Sequence, residues 1–297
     1  MACSRCSAHA RLLRAASRPT AQFRQPARLA SASTPTTRAS FQIRAQSSQA
    51  GSSPAKPSPI ASKAINSAAK KGSDGSGLVG SYAIYGGTHQ IYKSVASPAA
   101  YSISAVDREN GTLETLEGGE EVGVSEGPWH ELLDLPPTFS TWSQVTMLRM
   151  YILVARARCL EPEAYKSWYR QLLDHFFFDC ERLMDVNHGM TSSAARQRFL
   201  KDLFVQWRGL LAAYDEGLAK GDAVLASAVW RNLYKGRVEG VDFKKVAGVV
   251  SYIRASLWDL ERRSDADIVI GKDLFKKSLE GQLRGVDMQI AAVKDCA

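Results

Sequence analysis

The chain has 297 residues, with 38 Lys and Arg against 30 Asp and Glu, a net charge of +8 and an isoelectric point near 9.2. The charge is unevenly placed: between Met1 and Lys71 stand eight Arg, four Lys and no acid, so the remainder holds 26 basic and 30 acidic residues, a net of −4. That body lacks the cation surplus needed to neutralise phosphates, and direct DNA or RNA binding is not expected of it.

In chain order, residues 1–45 are Arg-rich, Ser-rich and acid-free, the composition of a mitochondrial transit peptide. Cys3 and Cys6 form one CxxC inside this leader, while Cys159, Cys180 and Cys296 are widely spaced, so neither a metal site nor a disulfide framework is expected. Residues 46–77, rich in Ser, Ala, Pro and Gly, read as a flexible linker. Gly75, Gly77 and Gly80 spell GxGxxG, but the dinucleotide fold needs a strand before those glycines, and a polar, low-complexity run precedes them. No cofactor is expected.

Leu78, Tyr82, Tyr85, His89 and Tyr92 recur at steps of three and four, which predicts a first helix over 78–95. The segment 107–126 carries Asp107, Glu109, Glu114, Glu117, Glu120, Glu121 and Glu126 among several Gly and reads as an acidic, solvated loop. Beyond Pro136 and Pro137, Thr141 and Gln144 have capping-box spacing ahead of a helix over about 140–158. Pro162 opens a second long helix to about Asp185, stopped at Asn187-His188-Gly189. Ser192 or Ser193 caps a third to about Lys220, ended by Gly221; a fourth runs from Asp222 to about Tyr234 and a fifth from Asp242 to about Arg262. The tail 263–297 has room for a short apolar piece at Ile268–Ile270 and one more weak helix. No stretch alternates over strand length, so the fold class is all-α, a multi-helix bundle of antiparallel helices behind a disordered leader and linker. The strongly apolar run 145–155 is interrupted by Arg149 and is too short to span a bilayer.

On the helix over 162–185, Trp168, Leu172, Phe176, Cys180 and Leu183 mark the buried arc, and Asp179 falls inside it. An unpaired carboxylate there would be costly. Arg149 and Arg156, one heptad apart on the preceding helix, are the expected partners of Asp179 and of Asp174, making a buried structural ion-pair network. Asp174, His175 and Asp179 do not converge as a catalytic or metal cluster, and no HxxEH, nucleophile elbow or phosphate loop occurs in the body. An enzyme is not expected, and no catalytic, metal or cofactor residue is assigned. Phe178 lies opposite the apolar arc of its helix, Val205 on the polar side of the third and Trp230 on the thin side of the fourth, which makes them candidates for partner or client binding.

The stretches LPPTFSTWSQVTMLRMYILVARAR (135–158), DHFFFD (174–179) and KDLFVQWRGLLAAYDEGLAKGDAVLASAVWRNLYKG (201–236) resemble the ubiquinol-cytochrome c chaperone family. The likeness covers 78–262 and is most specific over 135–236. It implies a helical chaperone domain on the matrix side of mitochondria, peripheral to the inner membrane. It further implies an assembly role for respiratory complex III, in which the protein and a small partner subunit bind newly made cytochrome b near the mitoribosome tunnel exit. A translational activator that contacts RNA directly is the alternative, and the −4 charge of the body weighs against it.

Overall fold

A computed structural model describes residues 76–271 and 274–295. The leader and nearly all of the linker, with Cys3, Cys6 and Gly75, lie outside the described residues. Among the described residues ten α-helices run in order: α1 Ser76–Ala96, α2 Ala105–Glu109, α3 Trp129–Leu133, α4 Phe139–Ala157, α5 Pro162–Val186, α6 Ser193–Lys220, α7 Asp222–Leu233, α8 Phe243–Glu261, α9 Asp265–Ile270 and α10 Leu279–Lys294. The described residues are therefore predominantly helical, as expected. Among the described residues the one sheet is a two-residue antiparallel pair, β1 (Tyr101–Ser102) with β2 (Val124–Ser125), in register Tyr101 to Ser125.

Local chemistry explains the helix ends. Glu161 accepts from the Glu163 and Ala164 amides ahead of Pro162, whose missing N–H is not needed at a helix start. Ser192, Asp242, Ser264 and Ser278 accept from backbone amides at the starts of α6, α8, α9 and α10. Gly221, at φ 110°, ends α6 and begins α7, so the two helices fold back on one another with no linker between them. The start of α4 differs from the capping-box expectation. Thr138 is the cap, accepting from the Thr141 amide, and Gln144 instead donates to Gln206 on α6. At its first turn the Phe139 and Trp142 rings lie tilted with centroids 5.6 Å apart, Trp142 in the core and Phe139 packed against it.

At the centre stands α4, packed by α1, α5, α6, α7 and α8. From Thr141 to Val154 every residue except Gln144 is buried. The carboxy-terminal helices join the same body: α9 packs on α1, and α10 lies along α8, where Leu283 sits against Gly248. The acidic segment is not a free loop. Arg108 donates to the Val186 and Asn187 carbonyls, Lys235 pairs with Glu120 at 2.7 Å, and Glu121 meets His188 Nδ1 at 2.7 Å.

Candidate partner-binding surface

Where α1 and α5 pack together, the α1 stripe supplies Tyr85, Thr88, His89 and Tyr92, and α5 answers with His175, Phe178 and Asp179. His175 is buried, with its ring 4.8 Å from Tyr85, 5.2 Å from His89 and 6.2 Å from Tyr92 between centroids. Its Nε2 lies 3.2 Å from the Thr88 hydroxyl. Above this cluster opens a cleft of about 770 Å³, whose lining includes Tyr85, His89, Tyr92, Phe178, Asp179 and Arg182. Phe178 is 65% exposed and Tyr85 54% exposed, two large apolar rings left to solvent on the lining of one groove.

The expected buried ion-pair network is corrected by the structure. Asp179 pairs with Arg182, three residues along its own helix, at 2.6 Å, and accepts from the Tyr92 hydroxyl at 2.7 Å. It lies at the edge of the buried arc, close enough to the surface for a neighbour on α5 to reach it. Asp174 is exposed and joins no ion pair with Arg149 or Arg156. Arg156 pairs with Asp265 at 2.7 Å and donates to the Leu260 and Arg263 carbonyls, closing the end of α8. Arg149 is buried and meets no carboxylate among the described residues. It donates to the Tyr252 hydroxyl at 2.7 Å and to the Ser94 carbonyl at 3.0 Å, and its guanidinium lies 3.8 Å over the Phe275 ring and 5.6 Å from that of Trp129.

Of the three candidate binding residues, only Phe178 lines the cleft. Val205, 68% exposed, lies on the outer side of α6. Trp230 is half-buried: its indole N–H donates to the Arg237 carbonyl and its ring lies 6.4 Å from Phe243. A helical projection of α7 places Trp230 on a thin side but cannot foresee the following loop folding over it. Tyr85 was missed as a surface residue because its spacing matches a buried stripe. His188, read as a turn residue, is also a junction: its Nε2 hydrogen-bonds the Tyr101 hydroxyl at 2.7 Å while Nδ1 holds Glu121.

The cleft does bring His175 and Asp179 to one wall, as acid–base chemistry would need. Their states suit recognition better. Asp179 is committed to Arg182 and Tyr92; burial, with the adjacent Asp179 carboxylate, pushes the Tyr92 phenol well up. Burial, reinforced by His89, holds the His175 imidazole below its ordinary value and so neutral. Among the described residues no group of three His, Cys, Asp or Glu is placed to hold a metal, and no helix is long and apolar enough to cross a membrane. The depressed His175 value has a sign. The unfolded chain takes up a proton near pH ~6.5 more readily than the folded one, so the stability present above that pH is lost as pH falls through it. We expect the melting temperature to fall between about pH 7.5 and 5.5, and a His175→Gln variant, which keeps a partner for Thr88, to lose less over the same range. Equal acid sensitivity in the two proteins would count against this.

Residues 131–275 match the protein family described as ubiquinol-cytochrome C chaperone. Among curated relatives, the mitochondrial protein CBP3 of Saccharomyces cerevisiae is 39% identical over 147 residues, which is 50% of this chain and 44% of the yeast protein. The ubiquinol-cytochrome-c reductase complex assembly factor 1 of Xenopus laevis is 26% identical over 152 residues, 50% of this chain and 72% of that one. The match therefore spans less than half the length of the yeast protein. A crystal structure of the Cbp3 homolog from Brucella abortus aligns with a TM-score of 0.47 and 16% identity, covering 68% of this chain and 95% of that one.

Proposed function

We propose, from the match of residues 131–275 to the ubiquinol-cytochrome C chaperone family, that this protein is an assembly chaperone of respiratory complex III. It acts by binding and not by catalysis. Its client is newly made cytochrome b, which it holds together with a small partner subunit near the mitoribosome tunnel exit, on the matrix side and peripheral to the inner membrane. The family match over residues 131–275 carries this reading. The acid-free leader supports import, and the names of the yeast and frog relatives agree with the process.

The exposed rings of Phe178 and Tyr85 on the cleft between α1 and α5 give the reading a surface. A partly aqueous, aromatic groove suits an apolar segment that must later be released, since each ring contributes contact area without ordering a long side chain. The test is a deletion strain complemented with wild-type protein or with Phe178→Asp, followed by native gels of the respiratory complexes and pulse labelling of mitochondrial translation products. Deletion is expected to remove complex III while sparing complexes built without it. Phe178→Asp is expected to keep its helix content yet recover little labelled cytochrome b on immunoprecipitation. Normal cytochrome b in the deletion strain would overturn the assembly role; undiminished capture by Phe178→Asp would remove the groove from it.

A further inference from the structure

A second cleft, of about 430 Å³, lies under the acidic segment, between it and the facing parts of α4, α5 and α6. Phe139, Met184, Met190, Phe199 and Leu203 make it apolar. Phe199 is 52% exposed, one turn before Leu203 and in line with the stripe of Leu203, Trp207, Leu210 and Tyr214 by which its helix is buried. The charged groups in the lining are of one sign: Glu120 and Glu121 come from the pinned segment and Asp202 from α6, with no Lys or Arg among the lining residues. Glu120 and Glu121 are answered by Lys235 and His188, whereas Asp202 is exposed and joins no ion pair among the described residues.

We infer that this cleft docks a short basic segment of a partner protein, in which one or two bulky apolar side chains are flanked by Lys or Arg. The volume admits side chains and not a whole helix, so the occupant is an anchor residue with its neighbours. Two methionines in the walls adjust their rotamers to different anchors at low cost, which favours tolerance of the anchor's shape. The unanswered Asp202 carboxylate on α6 favours a cation beside the anchor and raises the encounter rate. The inference goes beyond the complex III reading and does not depend on it, because it concerns a different cleft and is read in vitro.

The experiment is fluorescence anisotropy on the full chain with a labelled peptide bearing a central Leu-Phe pair flanked by lysines. Two comparison peptides replace the lysines by glutamates, or the Leu-Phe pair by serines. The protein is used as wild type, Asp202→Lys and Phe199→Ser, each checked by circular dichroism. Saturable binding of the lysine peptide is expected, at least about tenfold weaker for either comparison peptide and for either variant, and weakened by salt. Asp202→Lys, an exposed change that leaves the packing untouched, is expected to regain affinity for the glutamate peptide. Absence of saturable binding, equal affinity for all three peptides, or an Asp202→Lys protein that binds like wild type would each overturn the inference.

Discussion

Arg149→Ala is expected to destabilise the fold by about 3–5 kcal/mol, while Arg149→Met costs only about 1–2 kcal/mol. The reasoning turns on what surrounds the guanidinium. Burial pulls it below its ordinary value, and nearby it finds a phenol oxygen, a carbonyl and two aromatic faces in place of an acid. Alanine empties a space between Trp129, Tyr252 and Phe275 and strips the Ser94 carbonyl of a donor at the junction of α1, α4 and α8. Methionine keeps most of the volume, places a polarisable sulfur among the rings, and removes a charge that leaves no carboxylate stranded. Urea unfolding of the three proteins decides the matter. If methionine proves as damaging as alanine, the charge itself holds the site and the aromatic shell is secondary.

Two glycines of α6 are expected to respond to alanine with opposite signs. A Cβ on Gly217 would stand 2.6 Å from the Leu225 Cα on α7, so the two helices must part for it to fit. Displacing backbone in a packed hairpin costs more than the roughly 1 kcal/mol that alanine gains over glycine within a helix, and Gly217→Ala should lose about 2 kcal/mol or more. Gly209, eight residues earlier on the exposed side, has nothing within 4 Å of its Cβ position. There the propensity gain stands alone, and Gly209→Ala should add about 0.5–1 kcal/mol. Thermal unfolding of both variants tests close approach against intrinsic preference within one helix. A stabilised Gly217→Ala would mean that α6 and α7 are more loosely joined than their geometry indicates.

The long helices were legible because their punctuation is chemical and local. Pro162, Ser192, Gly221 and Asp242 each mark an end by a donor they lack, an acceptor they offer or a backbone angle they permit. Periodicity likewise told which face of α5 is buried, and so found Phe178 on the solvent side. It could not tell which helix each face meets. The ion pairs assigned to Arg149 and Arg156 failed for that reason: Asp265 and Phe275 come from the tail, and no spacing rule relates them to α4. Asp179 is instructive, since Arg182, three residues on, was a visible partner that an appeal to burial passed over. The segment 107–126 looked featureless because two-residue strands are too short for alternation to register. What holds it down is side chains of distant elements, His188 and Lys235, and sequence distance hides such meetings.

The enclosure of α4 bears on how the chain reaches its folded state. Four of the five helices that wall it in follow it in the chain, and Tyr252, which receives the Arg149 hydrogen bond, is 103 residues further on. A chain growing from its amino end therefore carries this apolar helix with at most α1 of the five to cover it while α5 to α8 are still being made, and the closing of that long-range contact is intrinsically slow. A product that stops short of Phe243 never acquires the wall that α8 provides. Apolar surface left exposed over such an interval favours association with other chains.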